Sequence, residues 1–122
     1  MLPSLNAMKT VVSLVLLVFS VFWSSEASTQ PEIAGIVIPK TKIGSEATLI
    51  CSLASGTKPV HFSWSKDGQE VPSKLMTNQP TSSILVIPVV KSGDRGRYIC
   101  FVKSSFGEDS KSADLVVSGQ LF

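Results

Sequence analysis

Hydrophobic and polar residues alternate in short runs along most of this chain, and turn-forming residues separate the runs. Glu46 to Leu53 sets Ala47, Leu49, Cys51 and Leu53 on one side. Val60 to Ser65 does the same with Val60, Phe62 and Trp64, and Ser83 to Ile87 with Leu85 and Ile87. Gly96 to Lys103 aligns Tyr98, Cys100 and Val102, and Ser112 to Val117 aligns Ala113, Leu115 and Val117. Period two marks half-buried strands, because successive side chains of an extended backbone leave opposite faces. Ala34 to Pro39 reads as a first edge strand, ended by a proline that cannot donate to a ladder. Weaker strands are expected near Glu70-Val71 and from Lys74 to Thr77. Lys66-Asp67-Gly68 signals a hairpin turn and Phe106-Gly107 another. Seven or eight such strands, each with one buried and one wet face, predict an all-β fold of two antiparallel sheets packed face to face.

One stretch breaks this pattern. Val11 to Trp23 is a solid apolar run of 13 residues. A bilayer crossing needs about 20. Lys9 precedes the run and polar residues from Ser24 to Glu26 follow it. Small residues at Ser25 and Ala27 suit a cleavage site after Ala27, so residues 1–27 read as a secretory signal peptide. Met8 offers an alternative start to Met1. The remaining 28–119 form one domain, with 120–122 a short tail, and the destination is secreted or extracellular. The 43% hydrophobic content of the chain is inflated by the leader.

Charge narrows the partners. The net charge is +2, and the leader carries one Lys and one Glu, so the balance survives cleavage. Arg95 and Arg97 are the nearest thing to a basic cluster, too little to neutralise a nucleic-acid backbone or dock a polybasic segment on a membrane. Cys51 and Cys100 are the only cysteines. In an oxidising compartment they are expected to bond. A closed loop of about 50 residues is worth roughly 4 kcal/mol in the chain-entropy picture.

The arrangement of Cys51, Trp64 and Cys100 resembles an immunoglobulin domain, the tryptophan lying 13 positions after the first cysteine and 36 before the second. Asp94-Arg95-Gly96-Arg97-Tyr98-Ile99-Cys100 matches that family's D-x-G-x-Y-x-C, with Leu85 leading into it at the usual register. The resemblance implies a Greek-key sandwich with one inter-sheet disulfide and Trp64 packed on the bridge. It also implies a tyrosine corner, with the Tyr98 hydroxyl bonded to backbone just upstream. Asp94 is expected to pair with a cation, Lys74 being the best placed in sequence, or else to cap the turn before Gly96. Within the superfamily the chain resembles I-set adhesion domains. Residues 48–71 are similar to the Down syndrome cell adhesion molecule family through Cys51, Leu53, Gly56, Pro59, Phe62, Trp64, Lys66, Asp67 and Gly68. Ser104-Ser105-Phe106-Gly107 departs from the Asn-x-x-Gly turn of that family. Family members have many domains and a membrane span. Here one domain and no second apolar run are seen, leaving a single-domain secreted protein and a fragment of a larger receptor both open.

Catalytic chemistry finds no constellation. His61 is the only histidine and alternates outward on its strand. No second histidine, free thiol or carboxylate pair accompanies it. Glu108-Asp109 reads as a solvated acidic pair in the last hairpin, without the further oxygen ligands a calcium site needs. No metal, cofactor or small-molecule substrate is expected, and no Asn-x-Ser/Thr sequon occurs. The function expected is protein–protein recognition. The resemblance implies cell adhesion, homophilic contact and axon guidance, with a soluble secreted binder as the alternative. Alternation supplies two candidate interfaces. One comprises Ile99, Phe101, Val116 and His61 on the sheet of the last strands. The rival comprises Ile50, Ile84 and Val86 on the opposite sheet.

Overall fold

The computed structural model describes residues 27–119. The signal-peptide reading of residues 1–27 falls almost wholly outside them, as does the 120–122 tail. Ten strands follow in order: β1 (Glu32–Val37), β2 (Thr41–Lys42), β3 (Ala47–Ser55), β4 (His61–Lys66), β5 (Gln69–Glu70), β6 (Met76–Gln79), β7 (Ser82–Ile87), β8 (Gly96–Ser104), β9 (Gly107–Leu115) and β10 (Val117–Ser118). Short 3-10 turns at Ser73–Leu75 and Ser92–Asp94 precede β6 and β8. Among the described residues no helix is long and apolar enough to cross a membrane.

Two four-stranded antiparallel sheets form, one ordered β1-β3-β7-β6 and the other β5-β4-β8-β9. β2 and β10 add a small parallel pair. β4–β5, β6–β7 and β8–β9 are hairpins within a sheet, and the links β3 to β4, β5 to β6 and β7 to β8 cross between the sheets, the Greek-key arrangement. The Cys51–Cys100 disulfide ties β3 in the first sheet to β8 in the second. Around it lie Leu49, Trp64, Leu85, Val90, Val102 and Leu115, all buried. Each of the long alternating runs therefore places its inward set in the core. Val60, Leu53 and Ala113, expected inside, are only half-buried, because they sit at strand ends or on the outermost strand.

Three boundaries differ from the sequence reading. The first strand starts earlier, at Glu32, and gives way to β2 after Pro39. Proline supplies no donor, so the chain leaves β3 there and Thr41 pairs with Val117 instead. The stretch from Lys74 opens as a 3-10 turn and becomes a strand only at Met76. Its edge position gives it one pairing neighbour, β7. The last strand runs back to Gly107 because Ser105-Phe106 closes a tight hairpin in which Ser104 faces Gly107.

Two turns are decided by glycine and aspartate. β4 and β5 join through Asp67-Gly68, both at positive φ (49° and 86°), the left-handed pair that matches the twist of a two-residue hairpin. Gly96 also has a positive φ, 148°, and a side-chain carbon there would come within 2.6 Å of the Asp67 carboxylate. The glycine of the D-x-G motif thus leaves room for an acidic turn residue from the neighbouring hairpin.

Candidate functional site

The buried frame comes first, because it fixes where the outward residues stand. The Tyr98 hydroxyl donates to the Asp94 carbonyl oxygen at 2.6 Å. Burial, with the nearby Asp94 and Asp67 charges, pushes the Tyr98 phenol up to about 12. The Asp94 carboxylate accepts from the Lys91 backbone N–H at 2.7 Å and caps the 3-10 turn. The cation expected for it is absent: among the described residues the ion pairs are Lys66–Asp67 and Arg97–Asp114, and Lys74 lies in the turn before β6. The capping alternative is the one realised, since a neighbouring amide three residues away satisfies the carboxylate without a long side chain being ordered.

Trp64 holds the two sheets together by a polar route that the sequence reading did not find. Its indole N–H donates to the Ser83 hydroxyl at 2.9 Å, Ser83 donates to Asn78 Oδ1, and Asn78 Nδ2 donates to the Phe62 carbonyl at 3.4 Å. Ser83 breaks the apolar pattern at the inward position opposite Cys51 on β3. A serine at a core position of an alternating strand was the available signal. Trp64 and Ser83 are buried, and no buried side-chain N or O among the described residues lacks a partner.

Asp109 is also bound rather than merely solvated. The acidic pair expected in a loop lies within β9, and Asp109 Oδ2 accepts from the Ile33 N–H of β1 at 2.8 Å while Oδ1 accepts from Ser110 N–H. The Ile33 amide holds the Asp109 carboxyl below the usual carboxylate range, with Ser110 and Lys111 adding to it. Asp67 is lowered in the same way, first by the Arg97 N–H and then by Lys66.

The outward faces are built on this frame. On β8 the outward row reads Arg97, Ile99, Phe101, Lys103. Ser65 on β4 and Ser112 on β9 flank Ile99, while Ser63 and Ser110 flank Phe101. Beyond the serines the rows end in charge. His61 and Glu108 stand either side of Lys103, and Arg97 is paired to Asp114 at 3.1 Å. A depression of about 600 Å³ lies over this face, lined by His61, Ser63, Phe101, Lys103, Glu108 and Ser110 among others. Phe101 is 40% exposed and Ile99 half-buried. Val116, grouped with them in the sequence reading, is elsewhere. Phe101 pairs with Ser110, and Val116 lies six residues further along, about 20 Å of extended chain. Val116 sits in the break between β9 and β10, 62% exposed, with its carbonyl accepting from Thr41 N–H.

The opposite sheet gathers its candidates more closely. Val37, Ile50, Ile84 and Thr77 form one row across β1, β3, β7 and β6. Val86 opposite Thr48 makes the next row on one side, and Gly35, Ser52, Ser82 and Gln79 the next on the other. Ile50, Ile84 and Val86 are half-buried and Val37 is 65% exposed. Val37 was not singled out from sequence, although Ile36 and Ile38 on the same run imply that it points outward. No charged residue lies in these three rows. Glu46, just ahead of β3, lies one step beyond Thr48.

The family model for the immunoglobulin I-set domain matches residues 36–117. Fc receptor-like protein 2 of Homo sapiens is 39% identical over 57 residues, 47% of this chain and 11% of that protein. Junctional adhesion molecule A of Homo sapiens is 29% identical over 75 residues, 53% of this chain and 25% of that protein. The chain therefore spans between about a tenth and a quarter of these relatives' lengths. Among solved structures, the Ig7 domain of Dscam1 (isoform 5) superposes with a TM-score of 0.66 at 21% identity, covering 75% of this chain and all of that one. At that identity the likeness carries the fold alone, so the narrower resemblance to the Down syndrome cell adhesion molecules rests on residues 48–71.

Proposed function

Because this chain belongs to the immunoglobulin I-set domain family, we propose that it is an exported, non-catalytic protein-recognition module of the cell-adhesion type, with its partner seated on the outer face of the β5-β4-β8-β9 sheet. One observation carries the choice of face: Ile99 and Phe101 stand side by side on the central strand, walled by four serines and rimmed by charge. An aromatic anchor among small polar neighbours, with charges at the periphery, is the layout in which a few residues supply most of the binding energy. Removal of residues 1–27 as a leader would deliver the 28–119 domain to the outside, where the bridge forms. An axon-guidance setting follows only from the resemblance of residues 48–71. A soluble binder and a piece of a larger receptor use the same face, and they differ in how it is displayed.

The test is a binding screen of the oxidised protein, multimerised on beads, against an array of cell-surface ectodomains that includes itself. Phe101→Glu is expected to lower binding to the partner by about 30-fold or more, the weight of an interface hot spot. Unaltered binding by a folded Phe101→Glu variant rejects this face.

A further inference from the structure

We propose that the cleft between the two sheets, at their β5 and β6 edges, binds a small organic ammonium ion, its apolar body on the cleft floor and its cationic head among the carboxylates at the mouth. This goes beyond the protein-recognition reading and does not depend on it. The cleft opens on the flank of the sandwich, whereas Phe101 stands on an outer face.

The path of the chain leaves the cleft open. β5 edges one sheet and β6 edges the other. Val71 is still held to β4, its N–H donating to the Trp64 carbonyl at 3.0 Å. Pro72 has no N–H with which to extend the pairing. Ser73–Leu75 then turns across toward the other sheet with none of its three residues buried. Of these only Leu75 packs against the core. The space left is about 440 Å³. Small-ligand sites occupy roughly 300–1,000 Å³.

Floor and mouth differ in chemistry. Val71, Leu85, Ile87 and Tyr98 line the cleft and are buried. Lys66, Asp67, Glu70 and Asp94 line it toward solvent, three carboxylates against one ammonium. That ammonium is already engaged: Lys66 Nζ donates to the Gly93 carbonyl at 2.6 Å and pairs with Asp67 at 3.4 Å. Among the described residues neither Glu70 nor Asp94 has an ion-pair partner. Lys74, the cation expected beside Asp94, is exposed and does not line the cleft. The negative field reaches the floor. After burial itself, the Asp94 and Asp67 charges are what hold the Tyr98 phenol up at about 12. An anion would be repelled here, and an uncharged apolar molecule would leave the carboxylates unanswered. A cation on an apolar skeleton complements both surfaces.

The test is an NMR titration of the oxidised protein with benzyltrimethylammonium, whose charge does not change with pH. Methyl signals of Leu75, Leu85 and Ile87 are expected to shift and saturate with a Kd of about 1 mM, as a probe of this size allows. Benzyl alcohol should bind about 3-fold or more weakly, and phenylacetate should not bind. Glu70→Gln, at an exposed site, should weaken the cation by about 2- to 5-fold, the weight of an exposed charge pair. Leu75→Trp should fill the cleft and abolish binding. Melting temperatures report folding of both variants, and if Leu75→Trp misfolds, Glu70→Gln and the shift map decide. No saturable shift up to about 10 mM, ten times the expected Kd, overturns the proposal. So do shifts centred on Phe101, phenylacetate binding as well as the cation, or full affinity in folded Glu70→Gln. Phe101→Glu should bind the probe like wild type, so its loss of partner binding in the ectodomain screen is a separate readout, and either reading can fail without the other.

Discussion

On one outer face Ile50 and Ile84 sit side by side among threonines and serines, with no charge for three rows. On the other, Ile99 and Phe101 stand between serines but end in Arg97, Lys103, Glu108 and Asp114. Both faces hang from the same core, because each residue next to these in sequence points into it. Leu49 and Cys51 flank Ile50, Leu85 separates Ile84 from Val86, and Cys100 separates Ile99 from Phe101. The inward positions are fixed by packing and leave little freedom. The outward positions are free to carry recognition, and the two faces differ in how charge is placed around a similar apolar centre.

Removing the bridge tests whether the faces share one frame. Replacing Cys51 and Cys100 together by alanine is expected to cost about 2–5 kcal/mol, and partner binding on the β5-β4-β8-β9 face should fall with it. Chemical denaturation with and without reductant measures it. A variant that kept that binding would show that the sheet holds its outer face without the bridge.

The next largest effect is expected at the polar tie. Ser83→Ala leaves the buried Trp64 indole N–H without its acceptor, at a cost of about 1–3 kcal/mol. Denaturant midpoints report the loss. Because Ser83 lies on β7 and Trp64 on β4 of the facing sheet, the variant also loosens how the two faces are set against each other. A near-neutral result would mean that water or Asn78 takes over the indole bond.

The faces themselves should differ in their tolerance of charge even before anything binds. Ile84→Glu, at a half-buried position between Ile50 and Thr77, is expected to destabilise by about 1 kcal/mol. Phe101→Glu, more exposed and near Lys103, should stay within about 0.5 kcal/mol of wild type. Thermal melts of the two variants would invert this order if the uncharged face were less enclosed than its register implies.

The smallest effects are those of pH. Asp109 and Asp67 have carboxyls lowered in the folded state, so their contribution is present at neutral pH and is lost as pH falls through their folded values. Asp109→Ala should lose less than about 1 kcal/mol at pH 7, screened as it is, and flatten the acid limb of the stability curve. Tyr98 acts at the other end. Its phenol is raised to about 12, so the folded state holds a proton that the unfolded chain releases near 10, and stability falls as pH rises above that point. Tyr98 is the only tyrosine, so ultraviolet titration of the phenolate reads this site alone. A midpoint near 10 in the folded protein would mean that the hydroxyl does not hold its bond to Asp94.

The sequence by itself determined which side of each long strand faces the core. Alternation at Ala47–Leu53, Phe62–Trp64, Leu85–Ile87 and Tyr98–Val102 is a property of extended backbone, local to each run, and needs no knowledge of the partner strand. The cysteine, tryptophan and D-x-G-x-Y-x-C positions extended that to a two-sheet sandwich. Only the tertiary structure decided which outward residues are neighbours. It placed Val37 beside Ile50 and Ile84, moved Val116 away from Phe101, and sent the Asp109 carboxylate to Ile33. It gave Asp94 a backbone amide instead of Lys74. Those outcomes depend on register, which joins residues far apart in the chain through ladder hydrogen bonds and turn geometry. A period-two pattern looks the same after a shift of two residues, so the run alone cannot say which residue it faces.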